Sequence, residues 1–322
     1  KITNFKIYKY TNETTSKNGI KYNHIFFERN PQRHNENEYT NLISNILHNG
    51  VEKGDRTGVG TKSIFGAQMR FDISETLPLL TTKRVPFNMI LKELLWFISG
   101  STDSKKLEEQ GVNIWKGNTS RDFLDKRGLN DLPEGDIGQM YGSLWRHWGA
   151  EYINCKTDYS GKGEDQLQNV IDQIKNDPDS RRHIVTALNP SCYNKGCLVS
   201  CHSLFQFYVD TKKGTLSCQL YQRSGDMFLG VPFNIASYSI LTCMVAKICG
   251  LKPGEFIHTI GDAHIYMNHV EQVKEQLTRN PTNFPILELK DRKYDNIDDF
   301  TLEDFKLVGY DPHPTIKAPM AI

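Results

Sequence analysis

The 322 residues are enough to bury a large core, in one big domain or in two small ones. Their 39 basic and 38 acidic side chains leave a formal net charge of +1, which argues against a dedicated nucleic-acid surface. No apolar run approaches the length of a membrane span, and seven cysteines without disulfide spacing favour a reducing, cytoplasmic setting for a soluble globular protein.

The N-terminal region differs from the rest of the chain. Residues 5–8 alternate like the end of a strand, and the polar residues 11–19 predict a linker. We therefore expect residues 1–36 to be an extension or linker, and residues 37–322 to form the main domain.

The next third of the chain predicts two helices and a strand. Apolar residues recur at helical spacing over 39–47, and Gly50 follows as a stop signal. A glycine-rich loop over 54–60 precedes a strand over 63–72, and a second helix runs over 89–98.

The C-terminal half alternates between the two periodicities. A helix over 167–174 is followed by strands over 202–209 and 215–221, which a turn joins into a hairpin. A helix over 234–249 is apolar almost all round, which indicates burial. Because no regular βαβ rhythm appears, we expect an α+β fold with a mixed sheet and packed helices.

Cys201 is the strongest candidate for a nucleophile. In the predicted hairpin, Cys201 and Arg223 are about equally far from the turn, so they should lie side by side at its open end. A guanidinium beside a thiol favours the thiolate, which is the reactive form. The alternative is that Cys201 is a small buried hydrophobe, and the pattern leaves the two about equal.

A metal site is a second alternative for the same region. Cys192, Cys197, Cys201 and His202 are clustered as C-x4-C-x3-C-H. This spacing is not a usual zinc pattern, and no second cysteine pair follows. We expect no metal.

Glu93 lies on an apolar helix face. At 100° per residue it is about 120° from the polar stripe of Asn88, Lys92 and Ser99. An apolar setting raises the pKa of a carboxyl toward a useful value for proton transfer. A structural carboxyl with a buried partner fits the pattern equally well.

Several polar residues have settings that suit a nucleotide, and each also has an ordinary explanation. Four arginines could share a phosphate or form separate surface ion pairs: Arg56, Arg181, Arg182 and Arg223. Asn234 can read a pyrimidine edge or cap a helix. His264 and Tyr266 can bind sugar hydroxyls or be helix-entry residues, and Trp115 can stack on a planar ring or pack in the core.

Taken together, the motifs resemble those of the thymidylate synthase family over residues 38–322. The matching segments are DRTG (55–58), PLLTTK (78–83), ELLWF (93–97), YG (141–142), DSRR (179–182), CH (201–202), QRSGD (222–226), GVPFNIASY (230–238), GDAH (261–264) and GYDPHP (309–314). The resemblance implies that residues 37–322 are a catalytic domain that methylates dUMP with 5,10-methylenetetrahydrofolate and releases dihydrofolate.

The resemblance also implies roles for individual residues. Cys201 would add to C6 of the uracil, Glu93 would organise protons, and Tyr141 would assist removal of the C5 proton. Arg223 and Asp226 complete the catalytic set. The dUMP ligands would be Arg56, Gln222, Arg223, Ser224, Gly225, Asp226, Asn234, His264 and Tyr266, with Arg181 and Arg182 donated by the partner subunit of a homodimer. The folate ligands would be Ile114, Trp115, Asn118, Asp226, Leu229, Gly230, Phe233 and Ala321, and residues 321–322 would close over the site.

The sequence departs from the family pattern just before the nucleophile. Val199 and Ser200 stand where a proline usually precedes the cysteine, and Leu188 replaces a usual tryptophan. The N-terminal stretch is similar to the junction in fused dihydrofolate reductase–thymidylate synthases. A relative that hydroxymethylates pyrimidine nucleotides without reduction would share Cys201 and the arginines, although Asn234 favours uracil over cytosine.

Overall fold

The computed structural model describes residues 5–15, 21–29 and 35–320. Near the N-terminus, β1 (Phe5–Thr15) and β2 (Lys21–Arg29) pair as an antiparallel hairpin. The predicted linker is therefore wrong for residues 11–15, which are strand, while residues 16–20 lie outside the described part. The linker was predicted from polar composition alone, but residues 11–15 include three threonines, and threonine is β-branched and favours strands.

The centre of the molecule is a six-stranded mixed sheet with the order β3-β4-β8-β7-β6-β5. Its strands are β3 (Val51–Lys53), β4 (Thr61–Asp72), β5 (Ile184–Thr186), β6 (His202–Asp210), β7 (Thr215–Asp226) and β8 (Lys252–Tyr266). The predicted hairpin is confirmed as the antiparallel pair β6 and β7, whereas β7 and β8 run parallel. A smaller antiparallel pair is formed by β9 (Ile286–Leu289) and β10 (Phe305–Val308).

Helices cover one face of the sheet. They are α1 (Asn37–Asn49), α2 (Phe87–Ile98), α3 (Lys105–Glu108), α4 (Arg121–Lys126), α5 (Tyr141–Arg146), α6 (Gln166–Asn176), α7 (Gly230–Ile248) and α8 (Val270–Leu277). Short 3-10 turns add Pro190–Cys192, Met267–His269, Ile297–Asp299 and Leu302–Asp304. The α+β prediction is confirmed, and the helices expected over 39–47, 89–98 and 167–174 are α1, α2 and α6.

Helix α7 connects the parallel strands β7 and β8 and packs on both. It is long and apolar enough to cross a membrane by length and composition, which corrects the expectation that no run approaches that length. Most of its residues are buried against the sheet and α2, as expected of a core helix. Tyr238 of this helix packs against Trp145 and Phe205 in the core, with its ring centroid 6.3 and 5.3 Å from theirs.

Two boundary errors bear on the site. Helix α7 begins at Gly230, so Asn234 lies inside it and is not its N-cap. Residues 261–266 belong to β8, so the helix-entry reading of His264 and Tyr266 is wrong. β8 lies between β4 and β7 and is buried at successive positions, so it shows no period-2 alternation in its sequence.

Candidate active site

The hairpin places Cys201 beside Arg223, as its register predicts. The backbone N–H of Arg223 donates to the Cys201 carbonyl at 2.9 Å. One guanidinium nitrogen, Nη2, lies 3.5 Å from the Cys201 Sγ. The thiol and the cation are therefore in direct contact at the open end of the β6–β7 ladder.

Burial and charge act in opposite directions on this thiol. Burial raises the pKa of Cys201, and although Arg223 and Tyr141 lower it, the net pKa lies above the usual value. The expectation that Arg223 favours the thiolate is right for its own contribution and wrong for the net pKa. Activation of Cys201 therefore requires a further group that accepts the proton of the thiol.

Hydrogen bonds hold the backbone where the family usually has proline. Arg223 Nε donates to the Ser200 carbonyl at 3.0 Å, and Nη2 donates to the Val199 carbonyl at 2.7 Å. The Cys201 N–H donates to the Tyr141 hydroxyl at 3.0 Å. Arg223 and Tyr141 thus fix the nucleophile and the two residues that precede it.

A second set of contacts clamps the segment before the nucleophile onto the strand-like stretch before α5. Gly138 and Gly196 form an isolated β-bridge, and the Gln139 N–H donates to the Lys195 carbonyl at 3.0 Å. The Cys192 thiol donates to Gln139 Oε1 at 3.0 Å. Gly138 has φ 76°, and a Cβ there would lie 2.2 Å from the Lys195 carbonyl oxygen. We call these contacts the nucleophile-loop clamp.

Two thiols of the cysteine cluster have separate partners in the structure. Cys197 packs against the Met140 sulfur at 3.9 Å, while Cys192 faces Gln139. Within residues 35–320, no group of three or more His, Cys, Asp or Glu side chains is placed to hold a metal ion.

A cavity of about 600 Å³ opens beside the nucleophile. The folate-facing residues expected from the sequence line it together: Ile114, Trp115, Asn118, Asp226, Leu229, Gly230 and Phe233. Glu93, Tyr141 and Asn234 also line it, and Ala318 and Met320 of the C-terminal tail form part of its wall. Ala321 and the predicted closure by residues 321–322 lie outside the described residues.

Glu93 is held in the cavity wall by one hydrogen bond. Trp115 Nε1 donates to Glu93 Oε1 at 2.9 Å. Burial raises the pKa of Glu93 to about 7, although the Trp115 hydrogen bond lowers it. The apolar-face prediction is confirmed, and the carboxyl can exchange a proton near neutral pH.

Tyr141 begins α5 in an unusual backbone conformation. Its φ is 33°, in the left-handed region that non-glycine residues seldom occupy. Its ring packs on Phe97 at 4.9 Å and on His202 at 5.0 Å between centroids. Burial raises the pKa of Tyr141 well above its usual value, so its hydroxyl stays neutral.

Asn234 and His202 face the cavity together. Burial lowers the pKa of His202 to about 4, although Asn234 opposes that shift, so the imidazole is neutral. His202 was expected only as a metal ligand, and its place in the wall of the site was missed. Its position next to Cys201 was the available signal.

The expected phosphate ligands are divided between the site and the surface. Arg56 is exposed on a loop whose turn is tied by the Asp55 carboxylate, which accepts from the N–H groups of Thr57 at 2.8 Å and Gly60 at 2.7 Å. Gln222, another expected dUMP ligand, has partners within the chain for both polar atoms of its amide. Its Oε1 lies 2.8 Å from His258 Nε2, and its Nε2 donates to the Ser224 carbonyl at 2.9 Å. Gln222 therefore shapes the strand that carries Arg223, Ser224 and Gly225.

His264 and Tyr266 stand close together at the end of β8, with their ring centroids 5.2 Å apart. His264 Nδ1 lies 3.2 Å from the Asp262 carboxylate, which also accepts from Lys53 Nζ at 2.7 Å. The chain therefore orients His264 through Asp262 and Lys53.

Arg181 and Arg182 are exposed and far from the nucleophile of their own chain. The Phe207 N–H donates to the His183 carbonyl at 2.9 Å, so this segment lies opposite the middle of β6. At about 3.3 Å per residue, that point is about 20 Å along the strand from Cys201. Within one chain the four arginines do not converge.

Asp226 is a charged residue of the cavity wall and one of those expected to face the folate. It accepts from the Phe228 N–H at 2.9 Å, and His269 Nδ1 lies 3.8 Å from it. Burial raises the pKa of Asp226, but His269 and the Phe228 amide outweigh this effect and lower it below its usual value. Buried Lys83 packs over the Phe228 ring at 3.5 Å and contacts its carbonyl.

Comparisons with known proteins agree with this geometry. A family model described as thymidylate synthase matches residues 37–322. Human thymidylate synthase is 58% identical over 289 residues, which cover 90% of this chain and 91% of that protein. A putative bifunctional dihydrofolate reductase–thymidylate synthase of rice is 57% identical over 291 residues, and the bifunctional protein of maize is 56% identical over 290. The matches cover 90% of this chain in both cases, but only 58% and 55% of these bifunctional relatives.

Proposed function

The chain belongs to the thymidylate synthase family, and we propose that it converts dUMP to dTMP with 5,10-methylenetetrahydrofolate, releasing dihydrofolate. The observation that carries the proposal is the contact between the Cys201 thiol and Arg223 beside a cavity that can hold a planar ring. The wall of that cavity joins Glu93, Tyr141 and Asn234 to the expected folate-facing residues.

These positions support a covalent route from dUMP to dTMP. The Cys201 sulfur forms a bond to C6 of the uracil, and C5 then bonds to the one-carbon unit of the folate. The C5 proton leaves with help from Tyr141 and from protons organised by Glu93, and the electron pair left at C5 breaks the bond between the transferred carbon and the folate nitrogen, which gives tetrahydrofolate. A hydride from the tetrahydrofolate then reduces the transferred carbon to a methyl group while the sulfur departs. The folate is oxidised to dihydrofolate, so no further reductant is needed.

Asn234 supports uracil as the base. Its amide has a donor and an acceptor on one side chain, which matches the uracil amide edge. It lies on α7 in the cavity wall beside His202. The hydroxymethylating alternative differs in the last step, since it makes no dihydrofolate.

The direct test is absorbance at the dihydrofolate band after mixing the protein with dUMP and 5,10-methylenetetrahydrofolate. We expect dihydrofolate and dTMP to appear in equal amounts. Cys201→Ser should abolish turnover while dUMP still binds, because a hydroxyl ionises far less readily than a thiol. A hydroxymethylated product without dihydrofolate would support the alternative, and Cys201→Ser activity within tenfold of the parent would overturn the nucleophile assignment.

A fluorinated substrate tests the covalent step separately. Fluorine at C5 cannot leave as a cation, so the 5-fluoro nucleotide should stall as a complex of enzyme, nucleotide and folate joined through Cys201. Mass spectrometry should detect that adduct on the peptide that contains Cys201. Unmodified protein after prolonged incubation would contradict the mechanism.

We also propose that the enzyme is a homodimer in which Arg181 and Arg182 reach the partner's nucleotide. Two observations support this arrangement. The arginines are exposed and distant from their own Cys201. The sheet face beside them carries large exposed side chains: Ile184 at 44%, Leu204 at 37%, Tyr208 at 68% and Tyr221 at 37%. A second copy would bury this face by two-fold symmetry.

The remaining expectations concern the protein around this domain. Because the bifunctional relatives carry a reductase as well, we propose that residues 1–36 correspond to the junction that follows such a domain. We also propose a cytoplasmic location. The size and reductase activity of the natural protein from its source would test the first statement, and cell fractionation would test the second.

A further inference from the structure

His269 connects two separate parts of the cavity wall. Its side chain is fully buried, at 0% exposure, and its Nε2 lies 2.7 Å from the Pro319 carbonyl oxygen. On the other side of the ring, Nδ1 lies 3.8 Å from Asp226 Oδ1. Pro319 stands between Ala318 and Met320, which both line the cavity. One imidazole therefore touches the C-terminal tail and faces the carboxylate across from it.

The partners of the ring determine where its protons lie. A carbonyl oxygen only accepts, so Nε2 must carry a hydrogen to bond to Pro319. If the ring were neutral, Nδ1 would then present a lone pair to the Asp226 carboxylate, which is repulsive. If the ring is protonated, Nδ1 presents an N–H to that carboxylate, which is attractive. The pair of partners thus favours the imidazolium.

The surrounding charges support the same state. Burial alone lowers the pKa of His269, but Asp226 and the Pro319 carbonyl outweigh burial and raise it above the usual value. The positive charge of Lys83 lowers the pKa of His269. Burial lowers the pKa of Lys83 itself to about 7, so the charged fraction of Lys83 decreases as the pH rises. Tyr266 also faces the ring, at 5.7 Å between centroids, and burial raises its pKa to about 12, so it stays neutral.

We propose that His269 is a positioning residue whose protonated imidazole fastens the C-terminal tail to the Asp226 carboxylate, so that both are held in place for the folate. The role of the carboxylate rests on the proposed function, whereas the fastening itself does not. Loss of the imidazolium charge would loosen the tail and Asp226 together. Because Asp226 and the tail residues on either side of Pro319 belong to the wall that is expected to face the folate, the loss would weaken folate binding.

The first test needs no catalysis. Long-range ¹H–¹⁵N NMR of the unsubstituted protein at pH 7 should show both ring nitrogens of His269 protonated. Its titration should lie above the unperturbed histidine value of about 6.5. A neutral ring at pH 7, or a proton on Nδ1 alone, would overturn the proposal even if the enzyme is fully active.

The second test separates positioning from structure. His269→Gln keeps an N–H donor for Pro319 but cannot carry a charge. We expect the KM for 5,10-methylenetetrahydrofolate to rise by about three- to tenfold, which is more than the dUMP dissociation constant should change. In the parent enzyme this KM should rise with pH as His269 loses its proton, and in His269→Gln that dependence should be flattened.

His313→Gln is the matched control. Its Nε2 also lies close to a backbone carbonyl, that of Asn280 at 2.8 Å, but no carboxylate pairs with it among residues 35–320. We expect its KM and pH profile to match those of the parent. Identical profiles for His269→Gln and the parent would overturn the proposal. If the parent itself forms no dTMP, the proposed function fails, while the NMR result still decides whether the fastening exists.

Discussion

At the scale of single residues, the charge of Glu93 is sensitive to pH near neutrality. Its pKa of about 7, raised by burial, means that the carboxyl is mainly protonated below pH 7 and ionised above it. We expect the pH profile of kcat to show an inflection near pH 7 that disappears in Glu93→Gln. The same variant should lower kcat by about 10²- to 10⁴-fold, the usual range for loss of a positioned acid or base.

The same carboxyl affects stability with a definite sign. Its folded-state pKa lies above the usual carboxyl value of 4.5, so the folded chain holds more protons between about pH 4.5 and 7. The Glu93 contribution therefore makes the free energy of unfolding fall as the pH rises through that window. Urea titrations at several pH values should show a smaller decrease for Glu93→Gln, and an unchanged slope would contradict the raised pKa.

Asn234 tests base selection. In Asn234→Asp the amide donor is replaced by a carboxylate, which can accept from the cytosine amino group. We expect kcat/KM for dUMP to fall by about 10- to 100-fold, with much less effect on dCMP, because a buried polar contact is lost for uracil only. Asn41→Asp, an exposed change on α1, is the control and should leave both values unchanged. An unchanged ratio in Asn234→Asp would mean that this side chain does not select the base.

Some site residues were predictable from local patterns, and others were not. The contact between Cys201 and Arg223 follows from counting along one hairpin. His269 and Lys83 had no such signal, since the first contacts Pro319 and the second contacts Phe228, 145 residues further along the chain. Which polar groups meet across such separations depends on the packed fold, and a single sequence does not display it.

At the scale of elements, the nucleophile-loop clamp allows a comparison between two glycines. Gly138 and Gly149 have φ values of 76° and 81°, so an alanine is strained at either position. Only Gly138 would also place a Cβ 2.2 Å from a carbonyl oxygen, whereas nothing lies within 4 Å at Gly149. We expect Gly149→Ala to destabilise the fold by about 1 kcal/mol, the usual cost of the left-handed conformation.

Gly138→Ala should destabilise the fold by about 3 kcal/mol or more, because the backbone of the loop must move away. It should also lower kcat more than Gly149→Ala does, since the displaced loop leads into Cys201. Urea unfolding and steady-state kinetics of both variants measure the two effects. Equal losses in the two variants would show that the clamp does not hold the nucleophile.

The elements themselves were predicted where one face is buried and the other is exposed. Helices α1 and α6 and the β6–β7 hairpin have that pattern, and their types were correct. Strand β8 was missed because it is buried between two strands and shows no alternation. The start of α7 was predicted four residues late. Pro232 was taken to precede the helix, whereas proline is tolerated in the first turn of a helix.

At the scale of the whole molecule, the shared site predicts rescue between two inactive variants. Cys201→Ala should be inactive, and the double variant Arg181→Ala/Arg182→Ala should be badly impaired. If the two are unfolded and refolded together, about half of the dimers are mixed, and about one quarter of all sites regain an intact Cys201 and both arginines. We expect activity to rise toward about one quarter of the parent value.

The control for this rescue is a mixture of the two variants that were refolded separately. Activity in the refolded mixture no greater than the sum of the two variants would show that the arginines act within their own subunit or not at all. Size measurements on both samples are needed, because a monomeric protein would also fail to complement and would contradict the proposed dimer.

The position of β8 in the sheet also determines the order in which this chain can fold. β8 pairs with β4 on one side, and their facing side chains Gln68 and Thr259 are 191 residues apart in sequence. A strand pairing across so long a loop forms slowly, because the chain must first lose the entropy of closing that loop. During synthesis on the ribosome, the edge of β4 that pairs with β8 therefore remains unpaired until most of the chain has emerged. That edge is the part of the nascent protein that a chaperone would have to protect.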